Sequence, residues 1–505
     1  MFRYLTLLAN LFAGSMLHAQ VDSVAMRYAS SITEGELRTH LTVLASDEYQ
    51  GRDTGKEGQK MAAAYLRQQF ERMGIPPIPP TVAPTLIDGY FQPFELIEDQ
   101  GGSIDVVTPN GTLRPMQELF YFSESLVEDL VMEELIYMGK AVELNAKSDL
   151  PVNSKALLFS GEGLPADVSM MVPMRLTMEW ARSKDVRLVV VVVDSVAALA
   201  REFGHMAGGG RMRLADAPAA NGEKTRSGTQ LLLVYKGSVD MLFPKAKYAK
   251  VQRKRAGTKV KANITVRVRP KQNRLVSENV LAYIEGTDKK DEVVVITAHY
   301  DHIGVEDGVV YNGADDDGSG TVALLEIAQA FAKARAAGQG PRRSVLIMPV
   351  SGEEKGLLGS RYYSDHPVFP LENTVADLNI DMIGRTDSTH ASSAPYVYVI
   401  GSDRLSTELH VANETANNHV GLQLDYTFNA TDDPNRFYYR SDHYNFARKG
   451  VPSIFYFSGV HVDYHQPGED VEKIRFDLLR QRTLLVFHTA WILANREARI
   501  VVDKP

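Results

Sequence analysis

The second half of the chain alternates between short apolar runs and segments in which apolar residues recur at helical spacing. Four runs predict strands, because they are short, rich in β-branched residues and bounded by polar residues or glycine: ENVLAYIEG, DEVVVITAH, RRSVLIMPVS and TVADLNIDMIG. Between them, GTVALLEIAQAFAKARAAG and KGLLGSRYYSDH predict helices. Apolar strands that alternate with amphipathic helices are typical of an α/β fold. We therefore predict a mixed, mostly parallel sheet flanked by helices on both faces.

The first half of the chain shows two further patterns of apolar and polar residues. EGELRTHLTVLAS and GKEGQKMAAAYLRQQFERMGI predict two helices before residue 100. From about residue 101 to residue 275, short β-rich runs such as KALLFS and RLVVVVVDS alternate with polar loops. This change predicts a β-rich inserted domain at residues 101–275, between two parts of one larger domain at residues 20–100 and 276–505.

The end of the predicted insert is basic, but its pattern does not favour a nucleic-acid site. In VQRKRAGTKVKANITVRVRP, apolar and polar residues alternate strictly from Lys259 to Val268. That alternation favours a strand with one solvated basic face. The chain as a whole has 55 Lys+Arg against 63 Asp+Glu and a formal net charge of −8. Such a charge gives no long-range attraction for nucleic acid or anionic lipid, so we expect neither as a partner.

The N-terminal residues predict export. Residues 1–19 contain one arginine, then an apolar segment, then the small residue Ala19, which is typical of a secretory signal peptide. Asn10 interrupts the apolar run, which is shorter than the ~20 residues that a spanning helix needs, so no membrane anchor is expected. The predicted location is secreted or periplasmic. The oligomeric state is left open by the sequence.

Potential metal ligands follow the predicted strands. The chain has no cysteine, so any metal site must use His, Asp and Glu, which suits zinc. Residues of these types occur at or just after strand ends, where open α/β sheets place their sites: His299, Asp316, Glu353, Glu354, Asp381 and His465. We expect two ions bridged by Asp316. His299 and Asp381 would complete one metal site, and Glu354 and His465 would complete the other.

The charge balance favours this hypothesis. Three carboxylates that converge in a partly buried site repel one another, whereas two Zn²⁺ ions supply four positive charges against them. The remaining positive charge would stabilise a hydroxide that bridges the ions. Within NGADDDGSG, Asp317 is expected to shape the loop, and Asp315 is expected to be solvated.

Two neighbouring carboxylates have predicted roles beside the ligands. Glu353 directly precedes Glu354 and can reach the far side of the bridging water, where it would act as general base. Asp301 lies two residues after His299, on the same side of a strand. It is expected to accept the second imidazole N–H of His299 and so fix its tautomer.

The motifs HYD, NGADDDGSG, GEEKGLLGS, NIDMIG, RSDHYNF and YHQPGED occur in this order. Together they resemble the di-zinc aminopeptidases of the bacterial leucyl aminopeptidase type, which are related to glutamate carboxypeptidase and the transferrin receptor. The resemblance covers residues 32–74 and 276–505. It implies a zinc exopeptidase fold, the same five ligands with Glu353 as the base, and a cis peptide bond between Asp316 and Asp317. The middle segment resembles the protease-associated domain that some members insert.

The resemblance also implies roles for two less specific positions. Tyr464 resembles the family tyrosine whose hydroxyl stabilises the oxyanion, and Arg440 matches a substrate-side arginine of some members. The leading hypothesis is a zinc aminopeptidase that removes N-terminal residues from peptides by attack of the bridging hydroxide. The alternatives are a carboxypeptidase or dipeptidase on the same two ions, and a non-catalytic relative of the receptor type. We find no GxSxG motif that would indicate a serine hydrolase.

Overall fold

The computed structural model describes residues 22–122, 129–143, 150–153, 155–164, 171–197, 212–215, 229–391 and 393–504. These residues form two compact units: unit 1 contains described residues 22–93 and 278–504, and unit 2 contains described residues of the segment 94–277. The predicted signal peptide, residues 1–19, lies outside the described residues. No helix in the described ranges has both the length and the apolar composition needed to span a membrane.

The α-helices of the described ranges are numbered here in chain order. They are α1 (Ser23–Ala29), α2 (Glu34–Leu44), α3 (Glu57–Arg72), α4 (Met171–Ser183), α5 (Tyr248–Val251), α6 (Gly318–Ala336), α7 (Leu358–Asp365), α8 (Thr407–Asn417), α9 (His443–Ala447) and α10 (Phe476–Asn495).

The strands are numbered in the same way. Those from β1 to β9 are β1 (Phe91–Thr108), β2 (Gly111–Leu113), β3 (Leu119–Phe122), β4 (Leu130–Lys140), β5 (Ala156–Ser160), β6 (Leu188–Val193), β7 (Met212–Leu214), β8 (Gln230–Tyr235) and β9 (Thr258–Val280). Those from β10 onward are β10 (Ala282–Ile284), β11 (Lys289–His299), β12 (Gly304–Glu306), β13 (Val309–Tyr311), β14 (Arg343–Val350), β15 (Thr374–Ile380), β16 (Tyr396–Ile400), β17 (Gln423–Asp425) and β18 (Ser453–Phe457).

Unit 1 contains a seven-stranded sheet in the order β10-β14-β11-β15-β18-β16-β17. The central pairs β14–β11, β11–β15 and β15–β18 are parallel, as is β16–β17, whereas β10–β14 and β16–β18 are antiparallel. The sheet is therefore mixed and mostly parallel. The predicted α/β class is thus confirmed. The predicted strand ENVLAYIEG is divided between β9 and β10.

Helices cover both faces of this sheet, which explains why its central strands β14 and β15 are fully buried. On β11, Val294 and Ile296 pack with residues of α6 and α10, whereas Val293 and Val295 pack in a second cluster that includes Tyr363 of α7. Successive strand residues point to opposite faces. Because each face of β11 is covered by helices, every residue from Val293 to His299 is buried, and the run begins with four consecutive apolar residues.

Unit 2 contains a nine-stranded sheet in which β2-β1-β9-β4-β5-β6-β8-β3 form a continuous order and β7 pairs with β1. Its bounds, 94–277, differ by a few residues from the predicted insert of residues 101–275. The alternation predicted for the basic strand is confirmed in β9. Its buried positions are Val260, Ala262, Ile264 and Val266, and its exposed positions are Lys259, Lys261, Asn263 and Arg267.

Candidate metal centre

Four neighbouring strands of the unit 1 sheet end at one edge and bring the predicted ligands to it. β14, β11, β15 and β18 are adjacent and parallel, so their carboxyl ends meet at the same edge. β11 ends at His299, and Asp381 directly follows β15. Glu353 and Glu354 come shortly after the end of β14, and His465 lies in the loop after β18.

The loop between β13 and α6 supplies the aspartate that lies between these strand ends. Asp317 is the N-cap of α6 and accepts the backbone N–H of Gly320 at 2.8 Å. Its same oxygen accepts the backbone N–H of Met382 at 3.0 Å, which ties the loop to the end of β15. Asp317 thus shapes the loop. The cis peptide bond between Asp316 and Asp317 is confirmed.

The first aspartate of the loop corrects an expectation. Asp315 was expected to be solvated, but its side chain is fully buried. One carboxylate oxygen accepts the backbone N–H of Gly384 at 2.5 Å, and the other lies 3.2 Å from Nε2 of His461. The expectation is wrong because the turn after β15 and the loop after β18 both fold over this residue. Neither contact is visible in the linear sequence.

Asp316 lies between two groups of donors, one for each of its oxygens. Its Oδ1 is 3.2 Å from Nε2 of His299, and that nitrogen is 3.7 Å from Oδ1 of Asp381. Its Oδ2 is 3.0 Å from Nε2 of His465, and that nitrogen is 3.4 Å from Oε2 of Glu354. All five predicted ligands therefore come together, in the arrangement expected around a bridging aspartate.

Burial and charge act together on the protonation of these groups. Burial disfavours a charged His299, but the carboxylates of Glu353, Asp316 and Asp381 outweigh it and raise the His299 pKa well above its usual range. Burial likewise lowers the pKa of His465, and the carboxylates of Asp316 and Glu354 raise it to about 10. The surrounding carboxylates therefore favour positive charge at both imidazoles, a charge that divalent metal would also supply.

The donor set fits divalent metal. His299, Asp316 and Asp381 each offer one ligand atom, and these atoms lie within 4.8 Å of one another. Nε2 of His299 is buried and has no hydrogen-bond partner among the described residues, and the same is true of Oε1 of Glu354. Buried polar atoms without partners are costly unless a ligand satisfies them. Two imidazoles and three carboxylates are ligands that zinc accepts.

His302 belongs to this centre but was not among the predicted ligands. Its Nδ1 lies 2.8 Å from Oε1 of Glu354 and 3.9 Å from Oδ2 of Asp316. The three residues form a second group of donors within 4.8 Å of one another. The one sequence signal for it was a second histidine in HYDHIG, three residues after His299. His302 lies beyond the end of β11, and the chain after this strand folds its side chain back towards Glu354.

Glu353 and Asp301 lie beside the donors. Oε2 of Glu353 is 4.0 Å from Nε2 of His299. Burial and the nearby carboxylates of Glu354 and Asp381 raise the pKa of Glu353 well above its usual range. Nδ1 of His299 is 3.0 Å from the backbone carbonyl oxygen of Asp301, whereas the Asp301 carboxylate is 3.8 Å away. That carboxylate accepts the Thr54 hydroxyl instead, so the backbone carbonyl, not the side chain, orients the imidazole.

A pocket with an aromatic wall opens beside the donors. Asp316, Glu353 and Asp381 line it, together with an apolar group made of Met382, Phe437, Phe455, Phe457 and Val460. Tyr464 and Arg440 complete the lining, and a guanidinium nitrogen of Arg440 donates to the Tyr464 hydroxyl at 3.4 Å. Arg440 is exposed and lies 4.9 Å from the ring centre of Phe437. Among the described residues, no carboxylate is within ion-pair distance of it.

Comparison with known proteins identifies the domain that holds this centre. Residues 279–490 match the profile of peptidase family M28, and every donor described above lies inside that range. Residues 279–490 form a peptidase family M28 domain. The M28 domain also contains the pocket residues from Met382 to Tyr464.

Curated relatives match less than half of the chain. A probable zinc metalloprotease from Pyrenophora tritici-repentis is 28% identical over 261 residues, which is 44% of this chain and 52% of that protein. Aminopeptidase YwaD from Bacillus subtilis is 28% identical over 219 residues, which is 42% of this chain and 43% of that protein. The chain thus spans about half the length of the curated relatives it matches.

A solved structure supports the fold over nearly the whole chain. The aminopeptidase from Aneurinibacillus sp. strain AM-1 matches with a TM-score of 0.56 at 19% identity, over 95% of this chain and 98% of that one. At this identity the match concerns the fold alone. At 95% of this chain, the match extends beyond the M28 domain.

Proposed function

We propose that this chain is an exported zinc aminopeptidase that hydrolyses the N-terminal peptide bond of peptides. One observation carries the proposal: within an M28 domain, the two oxygens of Asp316 face two separate groups of donors. A bridging carboxylate with a histidine and a second carboxylate on each side is the arrangement that two zinc ions require. His299 and Asp381 would hold one ion, and Glu354 and His465 the other.

When bound, the two ions would polarise the scissile carbonyl and lower the pKa of a water molecule between them. The rest of the proposed chemistry belongs to side chains of this chain. Glu353 has a raised pKa because it is buried among carboxylates, so it can accept a proton from water and then give it to the leaving amine. Its Oε2 lies 4.0 Å from Nε2 of His299, so the carboxyl is close to the proposed ligands.

Tyr464 is proposed to stabilise the oxyanion. Burial, together with the carboxylates of Asp316 and Glu354, raises the pKa of Tyr464, so its hydroxyl keeps the proton that it must donate. The Tyr464 ring stacks on His465 at a centroid distance of 3.9 Å, which holds the hydroxyl at the rim of the donor group. Asp301 is proposed as a positioning residue for His299 through its backbone carbonyl.

The pocket supports an apolar residue at the substrate terminus. Met382, Phe437 and Phe457 present apolar surface next to the donors, and burial of a side chain there would favour binding. Arg440 is the observation that favours a second candidate. Its guanidinium has no carboxylate partner among the described residues and could bind a substrate carboxylate, which a carboxypeptidase or dipeptidase needs. A receptor-like relative without activity is disfavoured by the complete donor set and by Glu353.

Export and domain organisation are part of the proposal. Residues 1–19 are proposed to be a signal peptide and residues 101–275 a protease-associated domain inserted into the peptidase domain. The compact unit of residues 94–277 supports such an insertion, since the chain returns from it to the sheet that contains the donors. Peptides are the proposed substrates, with no nucleic-acid partner and no membrane anchor.

A hydrolysis panel tests the proposed reaction. Four versions of one peptide with an apolar first residue combine a free or acetylated N-terminus with a free or amidated C-terminus. We expect both peptides with a free N-terminus to be cleaved and both acetylated peptides to remain intact. A chelator should abolish the activity, and added zinc should restore it. Cleavage that requires a free C-terminus instead would establish the carboxypeptidase alternative. Activity that survives complete removal of metal would contradict both.

A further inference from the structure

His302 is a buried imidazole with no conventional partner. Its side chain is fully buried, and both ring nitrogens lack a hydrogen-bond partner among the described residues. Nδ1 lies 2.8 Å from Oε1 of Glu354, yet this carboxylate oxygen is also without a hydrogen-bond partner. At so short a distance, the N–H direction must therefore miss the oxygen. The nitrogen and the oxygen therefore lie at ion-pair distance without the alignment of a hydrogen bond.

The backbone fixes the ring in this place. The backbone N–H of His302 donates to the carbonyl of Arg52 at 3.2 Å, and the residue forms a bridge with Asp53. The ring lies against Gly313, where a Cβ atom would come within 2.5 Å of the ring carbons Cγ and Cδ2. Because Gly313 has a φ of +53°, a side chain there would also be strained. The close contact leaves the imidazole little freedom to turn away from Glu354.

A cation that both atoms face would account for their arrangement. A ligand nitrogen and a ligand oxygen of one metal ion lie close together because both lone pairs point at the ion, not at each other. Oδ2 of Asp316 lies 3.9 Å from Nδ1 of His302 and also faces the group that contains His465. His302, Glu354 and His465 thus surround the same side of the bridging aspartate.

We propose that His302 is a fourth protein ligand of the second metal ion, through Nδ1, together with Asp316, Glu354 and His465. The inference rests on the proposed two-metal site. The first site, with His299 and Asp381, has three protein ligands, so the two sites differ in ligand number. The ion at the second site is expected to be the more tightly held, because it has one more imidazole than its neighbour.

Metal titration of the full chain tests the assignment. Zinc affinities of the metal-free protein are measured by competition with a chromophoric chelator for wild type, His302→Gln and Asp381→Asn. Loss of an outer partner of a ligand typically costs 10–100-fold in metal affinity, so loss of a direct ligand should cost about 100-fold or more. We expect His302→Gln to weaken the tighter of the two sites and Asp381→Asn to weaken the other.

Substitution of zinc by Co²⁺ distinguishes whether His302 is a metal ligand or only orients Glu354. The visible absorption of Co²⁺ reports its ligand number and geometry. With Co²⁺ at the second site, His302→Gln should change the spectrum, whereas His488→Gln should leave both the spectrum and the affinities as in wild type. His488 is a suitable control because it is a buried histidine of α10 that stacks on His419 at 4.9 Å, in contact with no metal donor.

Several results would overturn the proposal. Unchanged zinc affinities in His302→Gln would overturn it. A weaker zinc affinity with an unchanged Co²⁺ spectrum would also overturn it, because His302 would then act only through Glu354. If the variant does not fold, a crystal structure of zinc-loaded wild type decides the question. A zinc–Nδ1 distance of about 2.0–2.1 Å is expected for a ligand, and a distance beyond about 3 Å excludes it. Failure of the wild type to bind two ions would instead overturn the two-metal proposal itself.

Discussion

Two adjacent glutamates at the end of β14 have opposite protonation behaviour. Burial raises the pKa of Glu354, as does Asp316, but His302 and His465 outweigh them and lower it to about 2. Glu353 is also buried, yet its charged neighbours are mainly carboxylates, and its pKa is raised well above the usual range. Consecutive residues of one type are thus distinguished only by what surrounds them. One suits a metal ligand and the other suits a proton carrier.

We expect Glu353→Gln to lower kcat by about 10²–10⁴-fold, because the amide cannot accept the proton. Zinc content measured by mass spectrometry should stay at the wild-type value, since the side chain is proposed to move protons without binding metal. Glu354→Gln is the matched comparison, and it should lose zinc as well as activity. Loss of zinc from Glu353→Gln would reassign this residue as a ligand.

At the scale of elements, one buried arginine connects the segments that form the centre. Arg52 is 1% exposed and donates to four backbone carbonyls. Its partners are Leu44 at the end of α2, Tyr300 after β11, and Asn312 and Gly313 in the loop before Asp316, at distances of 2.7–2.9 Å. The first of these carbonyls lies at a helix end, and the other three belong to irregular backbone. The guanidinium therefore replaces the missing hydrogen bonds and holds the loop against β11.

Arg52→Lys is expected to destabilise unit 1 and to weaken metal binding. A lysine keeps the charge but lacks the planar fork, so several buried carbonyls lose their donor, at a cost of about 3 kcal/mol or more. Thermal unfolding and zinc titration measure the two effects. Arg343→Lys is the control. Arg343, at the beginning of β14, is equally buried and donates to the backbone carbonyls of residues 493 and 496. The control variant should lower Tm without changing zinc affinity, and a similar loss of affinity in both variants would refute the proposed role of Arg52.

Helix α6 carries a buried acid that makes its packing sensitive to pH. Burial and the neighbouring carboxylate of Glu36 raise the pKa of Glu326 to about 8. Glu326 accepts the backbone N–H of Thr33 at 3.1 Å, directly before α2. A carboxyl whose pKa is higher in the folded chain binds more protons when folded. Its contribution to stability is therefore present below the unfolded pKa and is lost as pH rises towards 8.

Glu326→Gln should remove this dependence. At pH 8 the variant is expected to be more stable than wild type by on the order of 2 kcal/mol, because the neutral amide needs no proton. Near pH 4.5 the two proteins should have similar Tm values. Glu34→Gln, at an exposed position in the first turn of α2, controls for the removal of one negative charge. A Tm difference that does not change between these pH values would contradict the account.

At the scale of the whole molecule, the metal donors belong to one of two compact units. Unit 1 and unit 2 have separate hydrophobic clusters, and His299, Asp316, Asp381 and His465 all lie in unit 1. Without cations, the carboxylates of this centre repel one another. A ligand that binds only the folded state stabilises the segments that it contacts. Metal should therefore stabilise the loops of unit 1 selectively.

Hydrogen exchange with mass spectrometry checks this expectation. Removal of metal by a chelator should increase amide exchange in the segments around His299, Asp316 and His465. Peptides from β5, β6 and β8, which are neighbouring interior strands of the unit 2 sheet, should exchange at the same rate with and without metal. Equal protection of the donor loops in both states would mean that the centre is held together without cations.

Much of the fold could be predicted because it depends on local pattern. The strand DEVVVITAH contains the continuous apolar run VVVI, and the structure places it in β11 with both faces covered by helices. The alternation from Lys259 to Val266 is equally local and corresponds to the pleat of β9. The five expected donors come together for a topological reason, since parallel neighbouring strands end at one edge.

By itself the sequence therefore determined the α/β class and four of the side chains grouped around Asp316, namely His299, Glu354, Asp381 and His465, because periodicity and strand-end position are properties of short segments. Tertiary structure alone decided that Asp315 is buried, that a backbone carbonyl orients His299, and that His302 faces Glu354. Each of these depends on how irregular segments fold over one another. Such contacts join residues far apart in the chain and follow no repeat, so no local pattern reveals them.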